Sequence, residues 1–282
     1  MADFTWTEDI TGRKLCAKVA EVLDRASVPN VLWNEYMLCA HGLDKDIEIY
    51  TVVDRDTGRT EAASVEQELN VSFIIPDDQI EDAYIELLKA KFDRCADNED
   101  ECELFRKYFL KPARHFHLCD RDKYGDPLSL NLYRQSDLLW WMPPIPLARP
   151  AEGDKYFTVT GDDWIRLETK SETYPVNMSS QTQLPDSHYQ IKILTLDKVV
   201  EALMLLECVY YQIDHSGCSD CWLDWLKELK TMVSKKDIKI GPMKEYFQPI
   251  WDKADEHGIS DMLKELGKKL EDKGGCPGAV QQ

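Results

Sequence analysis

The feature that most constrains the fold of this chain is an apolar run that turns directly into a helix. Residues 71–75 (VSFII) have the character of a buried strand, and Pro76 ends that run. Apolar positions then recur at helical spacing through residues 77–93, with an inner stripe at Ile80, Tyr84 and Leu87. A strand followed by an amphipathic helix is the building unit of α/β proteins, so we predict an α/β fold with a mixed sheet.

Three acidic residues, Asp77, Asp78 and Glu81, stand at the start of that helix. If the helix begins at Asp77 or Asp78, the i, i+3 and i, i+4 spacing places all three carboxylates on one face. Open α/β sheets bind ligands beyond the C-terminal ends of their strands, which is where this face lies. Such a cluster can accept a proton, hold a cation or bind a guanidinium group. The trio is therefore the candidate catalytic set.

A structural explanation competes with the catalytic one. Asp78 followed three residues later by Glu81 matches a capping box, and acids in a first helical turn also suit the helix dipole. Capping accounts for one or two of the acids better than for all three.

Length, apolar content and cysteine usage indicate an unexported protein with reduced thiols. The 282 residues are 43% hydrophobic, enough for one large domain or two modest ones. The sequence has no run of 18 apolar residues and no charged-then-apolar leader, so we expect a soluble, cytoplasmic chain. Nine cysteines, an odd number without repeating spacing, fit free thiols better than a disulfide framework.

The net charge of −18 argues against a general affinity for nucleic acids. Contact with RNA would need a local basic patch, and solvated helix faces are the ordinary explanation for such lysines. Two stretches offer candidates: Arg106, Lys107, Lys111 and Arg114, and later Lys227, Lys230, Lys235, Lys236, Lys239 and Lys244.

Periodicity and turn signals divide the chain into an α/β half and a helical half, with a boundary near residue 190. Residues 59–69 read as a polar lid or loose insertion, and 142–190 as an irregular, proline-containing connector. Helices are predicted at 8–27, 35–41, 77–93, 195–213, 219–233, 242–256 and 259–273, and strands at 30–33, 47–53, 70–75, 113–119 and 127–133.

Several of these segments together resemble a family of fungal proteins with a nucleotidyltransferase-like core. The segments are 31–36 (VLWNEY), His41-Gly42, 73–78 (FIIPDD), 115–117 (HFH) and 132–140 (LYRQSDLLW). Within that group, Asp77-Asp78-x-x-Glu81 resembles the DDxxE signature of fungal arginine-containing cyclodipeptide synthases. The resemblance covers about half the chain. It implies a nucleotidyltransferase-like core over residues 1–150, a connector over 151–190 and a helical region over 191–282.

Two functions follow from the resemblance. A working nucleotidyltransferase needs Asp-x-Asp at a strand end to hold divalent metal ions on a triphosphate. Here Asn70 and Ser72 occupy those positions, and Asn34-Glu35 replaces a Gly-Ser turn. Metal-dependent nucleotidyl transfer is therefore disfavoured. The alternative function is a nucleotide-binding protein of this fold that has lost its metal carboxylates.

The resemblance to the synthases implies aminoacyl transfer that requires no cofactor. Arginyl-tRNA and a second aminoacyl-tRNA would be the partners, condensed into a cyclic dipeptide. Glu81 would face the reacting amine, while Asp77 and Asp78 would orient the arginine side chain or its ammonium group. Ser72 is a candidate acyl acceptor. Candidate tRNA contacts are Arg106, Lys107, Lys111, Lys235 and Lys236.

Aromatic and polar residues near the strand ends supply candidate substrate contacts, although aromatic stripes more often pack in a core. Trp33 and Tyr36 offer stacking surfaces, and His115 or His117 offers a proton shuttle or ribose contact. The remaining candidates are Glu35, Tyr133, Arg134, Ser136 and Asp137.

The alternating residues His115, His117 and Cys119 could coordinate zinc, and Cys218 and Cys221 could provide half of the ligands of such a site. Because no matching second pair stands at ordinary zinc spacing, the sequence-based prediction is that the chain holds no metal.

Overall fold

The computed structural model describes twelve stretches of the chain. These are residues 4–7, 10, 12–43, 47–53, 60–66, 70–95, 102, 110–118, 128–161, 189–210, 220–254 and 259–271. The chain forms two compact units. The first comprises Met1–Ala40, Asp44–Arg134 and Pro144–Ile193, and the second His41–Leu43, Gln135–Pro143 and Leu194–Gln282.

A mixed four-stranded sheet forms the centre of the first unit, so the prediction of an α/β fold with a mixed sheet is confirmed. Its strands are β1 (Val31–Trp33), β4 (Val71–Ile75), β6 (Ser129–Arg134) and β5 (Arg114–His117), in that spatial order. β4 and β6 run parallel at the centre, while β1 and β5 are antiparallel edge strands. The parallel pair brings the C-terminal ends of β4 and β6 to the same edge, where Ile75 pairs with Arg134.

Two helices pack against this sheet. α1 (Gly12–Arg25) contacts β1 and β4, and α3 (Ile80–Lys89) contacts β6 and α1. Tyr84 of α3 stacks on Phe116 of β5 at 5.0 Å between ring centroids, and Phe116 is fully buried. Phe116 alternates with His115 and His117 along β5, so α3 covers the face of the sheet opposite to the two histidines.

α3 ends earlier than its sequence pattern predicts. Lys91 has a φ of 68°, and the amide of Phe92 donates to the carbonyl of Leu87 at 3.1 Å, which closes the helix as a Schellman motif without a glycine. The reversed chain then runs beside β5, where Arg94 forms an antiparallel bridge with Phe116. Residues 94–95 are thereby placed against the sheet edge.

The carboxylate of Asp24 ties the end of α1 to later segments of the first unit. It accepts hydrogen bonds from the Asn30 amide at 2.7 Å and from the Tyr189 hydroxyl. It also pairs with the ammonium group of Lys192, which is only 3% exposed. A buried cation is tolerated because Asp24 and the carbonyl of Leu147 satisfy its donors.

Two predicted irregular segments contain strands. β3 (Thr60–Glu66) pairs antiparallel with β2 (Ile47–Val53), so the loose insertion predicted at 59–69 is wrong over these residues. β7 (Phe157–Val159), inside the predicted connector, pairs with β8 (Lys192–Leu194), which follows the connector. In both cases the strand forms because another segment supplies its backbone hydrogen bonds, and the local sequence alone does not predict that pairing.

The second unit is helical, in line with the prediction for the C-terminal half. α5 (Leu196–Tyr210) contacts α6 (Asp220–Lys236) and α8 (Ile259–Glu271), and α7 (Gln248–Asp252) contacts α8. α7 is much shorter than the helix predicted at 242–256. Pro249 stands in its first turn, and a proline there suits the start of a helix better than its interior. The remaining helices are α2 (Glu35–Ala40) in the first unit and α4 (Gln135–Leu138) in the second. Within the described residues, none of the helices is both long and apolar enough to span a lipid bilayer.

We expect His41 to make the stability of the second unit depend on pH. Its Nε2–H donates to the carbonyl of Leu194 at 3.0 Å. Burial lowers the pKa of His41 from 6.5 to about 4, against the raising effects of that hydrogen bond and of Asp197. Because the unfolded chain binds the proton more tightly, the contribution is complete above pH 6.5 and is lost as pH falls towards 4.

Urea unfolding of the wild type and His41→Gln at several pH values measures this effect. The free-energy difference between them should change by on the order of 2–3 kcal/mol across that window. A difference that stays constant with pH would contradict the assignment.

Candidate functional site

The acidic trio does not form the capping box that its spacing suggested. Asp77 and Asp78 lie in a 3₁₀ turn, Asp77–Gln79, that follows β4. The N-cap of α3 is Gln79 instead of Asp78, and its side chain makes no capping hydrogen bond. The structural explanation for Asp78 and Glu81 as reciprocal caps is therefore wrong, although the helix dipole still favours acids at this end.

All three acids are exposed at the edge to which β4 and β6 point. Asp77 and Asp78 are exposed, and the Glu81 side chain is 61% exposed. Glu81 Oε1 lies 2.6 Å from Nη2 of Arg114, whose guanidinium carbon stands 5.7 Å from the centroid of the Tyr84 ring. One member of the trio thus already binds a guanidinium group, supplied by the chain itself.

A second set of predicted site residues forms a row across the sheet. Strand register pairs Trp33 with Ser72, Ser72 with Asn131, and Asn131 with His115, so the four side chains share one face. All four are buried, at 6% exposure or less. Arg114 lies on the opposite face because it alternates with His115 on β5. The row and the Glu81–Arg114 pair are therefore separated by the sheet.

Neutral side chains, joined to others by hydrogen bonds, occupy the positions at which a nucleotidyltransferase would carry metal-binding carboxylates. Asn34 Nδ2 donates to Ser72 Oγ at 2.9 Å. The side-chain oxygen of Asn70 accepts from both the amide and the hydroxyl of Ser129 at 3.0 Å. Ser72 is fully buried, so its hydroxyl lies inside the fold and away from the exposed acids.

The other candidate substrate contacts are dispersed. In the first unit Tyr36 and Tyr133 are buried, Glu35 is half-buried and Arg134 is exposed.

Ser136 and Asp137 belong to α4 of the second unit. Ser136 is exposed, and the Asp137 carbonyl accepts from the Tyr210 hydroxyl at 3.4 Å. Burial, and then the charge of Asp137, raises the pKa of Tyr210 to about 12.

The candidate RNA-contacting lysines of α6 have different neighbours. Lys227 pairs with Asp224, Lys230 lies 4.9 Å from the Trp251 ring centroid, and Lys236 Nζ donates to the Gly42 carbonyl at 2.7 Å. Lys235 is exposed, as is Lys111 in the first unit. Arg106 and Lys107 lie outside the described residues.

Two cysteines join the two histidines of β5 in a compact cluster. Cys102 Sγ lies 3.4 Å from Nε2 of His115 and 3.4 Å from Nε2 of His117. Adding Cys95 gives four ligand atoms that all fall within 4.8 Å of one another. Burial, and then the neighbouring His117, lowers the pKa of His115 to about 4, which keeps that imidazole neutral near pH 7. These four side chains have donor types and spacing suitable for a metal ion.

The sequence-based argument against a metal rested on the lack of a second ligand pair. The structure brings in that pair, Cys95 and Cys102, and the Arg94–Phe116 bridge holds Cys95 beside β5. The overlooked signal is C-x6-C-x12-H-x-H, whose first gap is wider than the spacing of common zinc motifs. Cys119, Cys218 and Cys221 lie outside the residues whose side chains are described.

An open depression of about 660 Å³ lies on the second unit around α7. Two prolines, a methionine, a glutamine and three charged residues line this depression, and the sequence predicted none of them as a site residue. They are Pro242, Met243, Glu245, Gln248, Pro249, Asp252 and Lys253.

Comparison with known proteins gives no assignment, since no family model, no curated protein and no solved structure matches this chain.

We expect Glu81→Gln to leave the fold stable. Its ion pair with Arg114 joins side chains that are 61% and 34% exposed, and exposed pairs of this kind contribute about 0–1 kcal/mol. The free energy of unfolding in urea should therefore fall by less than about 1 kcal/mol. Asp82→Asn, which removes an exposed acid of the same helical turn, is the matched control. A substantially larger loss in Glu81→Gln alone would assign Glu81 a structural role.

Proposed function

We propose that this chain is a tRNA-dependent cyclodipeptide synthase that condenses arginine with a second amino acid, using Asp77, Asp78 and Glu81. The observation that carries the proposal is that three exposed carboxylates follow the C-terminal end of β4 without forming a capping box. Parallel strands direct ligands to this edge, and exposure suits a substrate as large as an aminoacylated tRNA end. The DDxxE resemblance supplies the reaction class.

The Glu81–Arg114 contact supports a site that recognises arginine. A carboxylate and a guanidinium at 2.6 Å form a charge-assisted hydrogen bond, the interaction that a substrate arginine would use. Asp77 and Asp78 bind the substrate guanidinium or ammonium group. Glu81 accepts a proton from the reacting α-amino group after Arg114 moves away from it.

The reaction consists of two acyl transfers. The α-amino nitrogen of one aminoacyl-tRNA attacks the ester carbonyl of the other, and Glu81 takes the proton lost by that nitrogen. The ester C–O bond breaks, and the departing 3′ oxygen of the tRNA takes up a proton. The free amine of the resulting dipeptidyl-tRNA then attacks the remaining ester, which closes the ring and releases the second tRNA. The aminoacyl esters are already activated, so the reaction requires neither ATP nor a metal ion.

Direct attack by the amine suits the surroundings of Ser72. Its hydroxyl is fully buried and accepts a hydrogen bond from Asn34. The mechanism proposed here therefore does not use an acyl-serine intermediate.

Expression of the chain in a bacterial host, with mass spectrometry of extracts, tests the proposal. The wild type should produce an arginine-containing diketopiperazine. Glu81→Gln and the double variant Asp77→Asn/Asp78→Asn should reduce it by about 100-fold or more, since a positioned general base contributes about 10²–10⁴. Asp82→Asn should produce it at wild-type level. No diketopiperazine from the folded wild type would overturn the proposal.

A nucleotide-binding protein with a nucleotidyltransferase-like core is the second candidate. It is favoured by two neutral residues, Asn70 and Ser72, which stand at the positions of the Asp-x-Asp carboxylates. Ser72 lies on β4, a strand of the mixed sheet. This candidate predicts that the purified chain binds nucleoside triphosphates equally well with and without EDTA and does not turn them over. Isothermal titration with ATP and GTP measures this. Turnover that requires magnesium or manganese would contradict it.

A further inference from the structure

We propose that Cys95, Cys102, His115 and His117 form a structural Zn²⁺ site of the Cys2His2 type in the first unit. This inference stands apart from the proposed synthase activity and does not depend on it. It rests on the convergence of four ligand atoms from three separate segments of the chain.

Two sulfur–nitrogen distances, both from Cys102, match those of a tetrahedral zinc centre. With Zn–S bonds of about 2.3 Å and Zn–N bonds of about 2.0–2.1 Å, tetrahedral angles place a sulfur and a nitrogen ligand about 3.5 Å apart. Cys102 Sγ stands 3.4 Å from Nε2 of each histidine. A single metal ion shared by Cys102 and the two imidazoles accounts for both distances.

The fold delivers each ligand by a defined route. His115 and His117 alternate on β5 and so project from the same face, with ring centroids 5.4 Å apart. The bridge between Arg94 and Phe116 holds Cys95 beside that strand. Cys102, which is only 1% exposed, completes the set from a separate segment.

Donor chemistry and burial select zinc in a structural role. Two sulfur and two imidazole donors are a borderline-soft set that suits Zn²⁺, and four protein ligands leave no position open for water or substrate. Neither Cys95 nor Cys102 is in a disulfide, so both sulfurs retain the thiol chemistry that zinc ligation requires. Metal binding would join the chain after α3 to the edge strand β5.

Metal analysis of the untagged, full-length chain tests the site. Protein purified without chelators should contain about one zinc ion per chain, as measured by elemental mass spectrometry. Replacement by Co²⁺ should produce the visible bands of a tetrahedral centre and a thiolate-to-cobalt charge-transfer band. Cys102→Ser and His117→Ala should each weaken zinc affinity by more than about 100-fold, because losing even an outer-shell hydrogen-bond partner of a ligand costs roughly 10–100-fold.

Two further variants separate loss of a ligand from loss of the fold. Cys39→Ala removes a buried thiol from α2, outside the cluster, and should retain full zinc content. His117→Cys replaces one zinc ligand with another at a half-buried position and should restore binding relative to His117→Ala.

Three results would overturn the proposal. The first is a folded wild type that neither contains zinc nor takes up Zn²⁺ or Co²⁺. The second is stoichiometric zinc in both Cys102→Ser and His117→Ala. The third is a disulfide between Cys95 and Cys102 in freshly purified protein.

Discussion

The parallel pairing of β4 with β6 is the constraint on which the rest of the first unit depends. Five residue pairs, from Val71–Leu130 to Ile75–Arg134, fix which side chains face α1 and α3 and which face the other way. Because strand side chains alternate with a period of two, a shift of one residue would exchange the two faces. The pairing places Phe73 and Leu132 in one row and Ser72 and Asn131 in the next. It also sets the edge from which the 3₁₀ turn and α3 leave the sheet.

In the first unit, a buried neutral row on the sheet and an exposed acidic cluster at the sheet edge separate two kinds of chemistry. The row through Ser72 and Asn131 is buried and neutral, as expected where an unpaired carboxylate would be costly. The acids instead follow the strand end, in contact with solvent and with Arg114. A metal-dependent transferase needs charge concentrated on the sheet itself. The proposed synthase, which would act on preformed esters, needs accessible carboxylates at the rim of the sheet, and Asp77, Asp78 and Glu81 are exposed there.

Sequence periodicity predicted the elements whose burial is continuous and local. α1, β4, α3 and the C-terminal helices all show apolar spacing that matches their packed faces. β3 was missed because the segment 60–66 (TEAASVE) is polar and small, and its pairing with β2 is a tertiary event. The end of α3 was misplaced because Lys91, and not a glycine, adopts the left-handed conformation there. The acidic trio was found because its members are neighbours in sequence. Cys95 and His117 are 22 positions apart, and only the chain reversal after α3 makes them neighbours.

β5 connects the two candidate sites physically. Arg114 and His115 are consecutive residues on this edge strand, and their side chains point to opposite faces. As an edge strand, β5 pairs along its length with β6, and on its other side the described residues give it the bridge between Arg94 and Phe116. A metal ion bound through His115 and His117 would restrain the same strand whose Arg114 pairs with Glu81. The proposed zinc site would then act on the acidic edge indirectly, by fixing the position of the guanidinium group that must leave Glu81 before this carboxylate can accept a proton.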